Sequence, residues 1–311
     1  MAHIKPDNDA VRRSQKLRDV LALKEYIDTL APIFYKDYQN LVAHLQTITE
    51  PKTIEDDPQI AARQLEVYNT VKSLDFTVNP ETFTVGIKFS DDSGFGCHIE
   101  NVDIDSQQFC FGFMVFLNSL TYRIMGAMQY HIPTGWCKVE IWKALKTLRT
   151  RADYIFDADQ PVSHSTSKTK RTKKINQISS FQNYLKRQEV RYQTICQKNH
   201  TANSSIRDNI RDKRFKKYFK IYDTFETFRI SQNPEQFTAE ISFFGGTTDF
   251  MCGDVDIDSQ VFCLGVMTFV NTLTYRIISA LALDCNTVKT RQLLSATLIN
   301  IQKYSIRMFS K

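Results

Sequence analysis

One stretch of this chain occurs twice. Residues 101–127, NVDIDSQQFCFGFMVFLNSLTYRIMGA, return at 254–280 as DVDIDSQVFCLGVMTFVNTLTYRIISA, with 18 of 27 positions identical. Identity at that density within one chain reads as tandem duplication, so fold and function must be built on two copies of one unit. The alignment extends back at a constant offset of 154 from Tyr68 and Tyr222. It carries Asn79, Pro80, Glu81, Phe83 and Thr84 onto Asn233, Pro234, Glu235, Phe237 and Thr238, and one deletion then changes the offset to 153.

Periodicity gives each unit its elements. Leu74, Phe76 and Val78 alternate, then Phe83, Val85, Ile87 and Phe89, matched by Phe237, Ala239, Ile241 and Phe243. The Asn-Pro-Glu between the runs is a turn, so a hairpin is expected, with 94–102 as a third strand. In the repeated stretch Phe109, Phe113, Phe116, Leu120, Ile124 and Ala127 stand at helical spacing over a long segment free of proline, which favours one long helix capped at Asp105 or Ser106 and at Asp258 or Ser259. Gly112, Ser119 and Gly126, against Gly265, Thr272 and Ser279, place small residues every seventh position. Glycine inside a helix costs about 1 kcal/mol relative to alanine, so a neighbour must come close there. The expectation is that the two long helices face each other across a pseudo-twofold axis; the alternative is that each lies on its own sheet. A final helix follows in each copy, residues 138–151 and 288–309.

The expected fold is therefore α+β, a tandem duplication of a small antiparallel sheet plus long helices forming an intramolecular pseudo-dimer. The expected division is a helical arm at 1–33, repeat unit 1 at 34–156, a basic Ser/Thr/Lys linker at 157–174 and repeat unit 2 at 175–311. YKDYQNLVAHLQ near 35–46 is matched to SFQNYLKRQEVRY near 180–192.

With 42% hydrophobic and 24% charged residues, the 311-residue chain has enough apolar material for two cores. The amino terminus has no secretory apolar run. The longest apolar run, 109–117, falls short of the roughly 20 residues of a spanning helix, so no membrane association is expected. Seven cysteines without a CxxC pair fit reduced thiols, and a cytoplasmic or nuclear location follows.

Chemistry-bearing motifs are few. The six histidines never pair with each other or with a cysteine at ligand spacing, and no phosphate-binding loop or nucleophile elbow occurs, so neither metal nor cofactor is expected. Two basic clusters stand out. Lys168, Lys170, Arg171, Lys173 and Lys174 crowd the end of the linker. Arg207, Arg211, Lys213, Arg214, Lys216, Lys217 and Lys220 interleave with Phe215, Tyr218 and Phe219. Cations beside aromatics suit phosphate neutralisation and base stacking. The aligned span of copy one is acidic instead, with Glu55, Asp56, Asp57 and Glu66. A net charge of +6 and an isoelectric point near 8.8 favour an anionic partner modestly.

These residues point to a non-enzymatic protein that binds single-stranded nucleic acid. One alternative is self-assembly into homo-oligomers through complementary acidic and basic surfaces. The other is metal-dependent nucleotidyl transfer by the repeated Asp-x-Asp, Asp103 with Asp105 and Asp256 with Asp258.

Overall fold

The computed structural model describes residues 8–47, 58–90, 96–128, 135–156, 167–201, 208–245, 249–282 and 287–309. The chain divides into two compact units, 1–158 and 159–311. Unit 1 runs α1 (Asn8–Gln46), α2 (Pro58–Lys72), β1 (Asp75–Asn79), β2 (Thr84–Ser90), β3 (Gly96–Asp103), α3 (Gln107–Met128) and α4 (Gly135–Phe156). Unit 2 has the same order: α5 (Lys168–Thr201), α6 (Asp208–Thr227), β4 (Arg229–Asn233), β5 (Thr238–Phe244), β6 (Asp249–Asp256), α7 (Gln260–Leu281) and α8 (Val288–Phe309). The class is α+β.

Each sheet is an antiparallel meander, β1-β2-β3 and β4-β5-β6. The Asn-Pro-Glu turn works through its first residue: Asn79 Oδ1 accepts from the Glu81 and Thr82 N–H groups at 3.0 and 3.3 Å, and Asn233 does the same for Glu235 and Gln236 at 3.1 and 3.2 Å. In register, Phe76 faces Ile87 and Ile87 faces Ile99. Phe76, Val85, Ile87 and Phe89 are buried, and α3 packs on β2 and β3.

The long apolar helices are the centres of their units. Ser106 Oγ accepts from Phe109 N–H at 3.3 Å and Ser259 Oγ from Phe262 N–H at 3.1 Å, which fixes where each helix starts. Every residue from Phe109 to Leu120 is buried, and so is every residue from Ser259 to Asn271. A helix apolar on all sides needs burial on all sides. By length and composition both helices could cross a membrane, but 78% and 89% of these segments are already buried in protein.

The small residues serve contacts inside each unit. A Cβ on Gly112 would lie 2.7 Å from Ile87 Cγ2 and 2.8 Å from Ile99 Cδ1, both on the unit's own sheet; one on Gly265 would lie 2.4 Å from the Phe250 ring. Gly126 O accepts from Arg63 at 3.3 Å, and Ser279 Oγ accepts from Lys217. Gly112 and Gly265 thus each lie against the sheet of their own unit.

Two expected boundaries move. Residue 33 falls inside α1, a single helix that buries Leu17, Val20, Leu23, Ile27, Leu30 and Phe34. The same burial recurs on α5 at Ile175, Ile178, Phe181, Leu185, Gln188 and Tyr192, an offset of 158. These helices therefore align on one another directly, which replaces the match between 35–46 and 180–192. Lys168–Lys174, expected in the linker, form the first turns of α5. Among the described residues Cys97, Cys110, Cys196, Cys252 and Cys263 are not joined in disulfides.

Candidate nucleic-acid interface

The repeated aspartates meet cations from the first helix of their own unit. Asp103 and Asp105 close β3 and lead into α3. Asp103 Oδ1 accepts the Asp105 N–H at 2.8 Å, and Asp256 Oδ1 accepts the Asp258 N–H at 2.8 Å. Arg12 grips Asp105 in bidentate fashion at 3.1 and 2.6 Å, Lys16 Nζ adds 2.9 Å, and Arg13 pairs with Asp103. In unit 2 Arg171 pairs with Asp256, and Lys174 Nζ reaches Asp258 at 2.9 Å.

Aromatic rings complete both clamps. The Arg13 guanidinium lies 4.8 Å above Phe83 and that of Arg171 4.7 Å above Phe237, cation–π contacts on phenylalanines that both hold positive φ, 52° and 57°. The Phe83 and Phe237 carbonyls accept from Ile104 and Ile257 N–H at 3.0 and 3.1 Å, so the strained residue ties the second strand to the Asp-x-Asp turn. Lys16 and Lys174 lie against Phe156 and Phe309, near the ends of the final helices.

Burial lowers the pKa of Lys16 and of Lys174. Burial also opposes ionisation of Asp105, but Arg12 and Lys16 outweigh it and hold that carboxyl below the usual range. These carboxylates are engaged by arginine and lysine, the arrangement of a structural clamp. Among the described residues no three His, Cys, Asp or Glu groups gather as a metal site.

The basic candidates therefore sort by environment. Of the α5 cluster, Arg171 and Lys174 belong to the clamp, whereas Lys168, Lys170 and Lys173 are exposed. Arg207 lies outside the described residues. Arg211 and Lys213 fall on α6, their side chains outside the description. Tyr218 is 1% exposed and is a core residue, so it offers no face to a base. Lys217 is half-buried, donates to Ser279, and has its pKa lowered by burial and by Lys220. Arg214 and Phe215 are half-buried, and Lys216 and Lys220 are exposed.

What remains is one aromatic stripe at helical spacing. Phe215 and Phe219 stack at 5.8 Å and 29°, and Phe219 meets Tyr222 at 6.1 Å. Phe219 is 45% exposed. The stripe ends in acid: Tyr222 Oη donates to Glu226 at 2.8 Å, and that bond, with burial, pushes the phenol up to about 12. The cationic part is thus the end of α6 that carries Phe215, Lys216, Phe219 and Lys220. Phe219 and Tyr222 complete a stripe that the basic candidates alone do not define. The i, i+4, i+7 spacing of Phe215, Phe219 and Tyr222 was the signal that marks it.

Charge separates the units sharply. Residues 1–158 hold 17 Lys and Arg against 21 Asp and Glu, a net −4, and residues 159–311 hold 23 against 13, a net +10. The modest charge of the whole chain conceals a strongly basic half. Comparison with protein-family models, curated proteins and solved structures finds no match to the chain.

Proposed function

We propose that this is a non-enzymatic protein whose unit 2 binds single-stranded nucleic acid, neutralising phosphates with lysines and stacking bases on the α6 rings. The observation that carries the reading is the Phe215–Phe219 stack, exposed at Phe219, beside Lys216 and Lys220. Bases of any sequence have a face that stacks on an aromatic ring, so weak sequence preference accompanies this mode. The +10 charge of residues 159–311 supplies the long-range attraction. α5 adds support, since its first turn has the exposed Lys168 and Lys170 and no acidic residue. Cations at a helix amino terminus oppose the macrodipole, and an anionic partner offsets that cost.

We read the two units as tandem copies of one ancestor, of which the second diverged towards binding. The 18 identities and the recurring clamp support this reading. At the α2 position equivalent to Lys220 stands Glu66, whose carboxylate pairs with Arg123 at 2.6 Å within unit 1.

The test is fluorescence anisotropy of a labelled single strand over a salt series. For K216A/K220A the slope of log affinity against log salt should fall by about 0.7 per lost phosphate contact, and F219A should weaken binding about tenfold with the slope unchanged. Binding and slope that match the parent in both variants would refute the proposal.

A further inference from the structure

The long helix α5 carries nine Lys and Arg against one acidic residue, Glu189, whereas α1, its aligned counterpart, carries six against five. Its core-facing side holds Ile175, Ile178, Phe181, Leu185 and Tyr192. The opposite side is a stripe about 100° wide on which Lys173, Asn176, Ser180, Asn183, Arg187 and Arg191 are all exposed. Asparagine and serine occupy the middle, and cations stand at both ends.

We infer that this face of α5 enters the major groove of duplex DNA, an inference that rests on unit 2 being the nucleic-acid-binding half. Three properties of the stripe lead there. Asparagine and serine are side chains that read base edges, and they lie where a helix in a groove faces the bases. Lys173 and Arg187 are 14 residues apart, about 21 Å along the axis, enough to reach phosphates on both sides of a groove about 12 Å wide. Val190, 62% exposed on the same side, offers an apolar surface for a thymine methyl.

The aligned face of α1 lacks the pattern. Arg18, Ala22 and Glu25 stand where α5 has Asn176, Ser180 and Asn183, and Pro32 and Ile33 replace Val190 and Arg191. Duplex RNA is the discriminating control, because its deep, narrow major groove does not admit a helix face. The α5 face and the α6 rings are separate contacts, one for duplex and one for single strand.

The full chain, its R187A/R191A and N176A/S180A/N183A variants, and F215L/F219L would be titrated with duplex DNA, duplex RNA and single strand of matched sequence. All the α5 positions are exposed, and circular dichroism checks that the fold is kept. R187A/R191A should lose tenfold or more on duplex DNA, with a salt slope lower by about two. The Asn/Ser variant should keep that slope but flatten the differences among duplex sequences, and F215L/F219L should spare duplex DNA. Parental affinity of both α5 variants for duplex DNA would overturn the inference. Single-strand binding that still depends on Phe215 and Phe219 would then leave the α6 reading intact, and absence of binding to all three probes would overturn both.

Discussion

At the scale of single residues, each unit holds a buried lysine on an aspartate. Lys174 is held by Asp258 at 2.9 Å with the Phe309 ring beside it. Breaking a buried pair from one side leaves an uncompensated charge, so D258N is expected to cost about 3 kcal/mol in chemical denaturation. K174M/D258N removes the stranded ammonium and should recover most of that loss. The variant also has a pH signature. Burial lowers the Lys174 pKa in the folded state, so between that value and the roughly 10.4 of an unfolded lysine the folded protein binds fewer protons. D258N should therefore gain stability as pH rises through that window, and a flat profile would show that Lys174 is solvated. Asp105 gives a slope of the same sign, at the acid end of the scale. Its folded pKa lies below the roughly 3.9 of an unfolded aspartate, so its contribution is complete above that value and lost as pH falls through the folded one. D105N should lose part of the acid-side slope of the parent's stability curve.

At the scale of elements, the two helix glycines allow a comparison in which local propensity opposes packing. Replacement by alanine gains about 1 kcal/mol of helix propensity in either place. At Gly112 the added carbon meets Ile87, a β-branched residue 1% exposed on the central strand, together with Ile99. At Gly265 it meets the ring of Phe250, the far end of a half-buried side chain on the edge strand β6. G112A is expected to lower stability by about 1–3 kcal/mol, the range for overpacking, and G265A to stay within about 1 kcal/mol of the parent by thermal and denaturant melts. The same elements show where sequence is informative. Strands were legible at Phe76 and Val85–Phe89 because alternation is a local pattern, and α3 was legible because its apolar spacing persists over six turns. The role of α1 was not: it aligns with α5 at an offset of 158 instead of 154, and the connection to the next helix differs in length, so self-comparison from Tyr68 did not reach it. The site divides in the same way. Lys168–Lys174 reads as a charged linker because the partners of Arg171 and Lys174 lie some 85 residues away, and Tyr218 reads as a stacking ring because periodicity does not say which side of α6 meets α5.

At the scale of the whole molecule, +6 is the least informative charge to quote, since −4 and +10 act on a nucleic acid in opposite directions. Each unit closes its own clamp, with Lys16 against Phe156 in one and Lys174 against Phe309 in the other, so the first and last helices of a unit are tied within that unit. Fragments 1–158 and 159–311 are therefore each expected to melt cooperatively, which calorimetry would establish before any binding is measured. If unit 2 holds the contacts and unit 1 contributes mainly its field, removing the acidic half should help. The 159–311 fragment is expected to bind a single strand several-fold more tightly than the full chain near 0.01 M salt, where charges act over about 30 Å. By 1 M the range shrinks to about 3 Å and the two proteins should bind alike. A deficit in the fragment that persists at high salt would mean instead that unit 1 touches the strand, because direct contacts survive screening and a remote field does not.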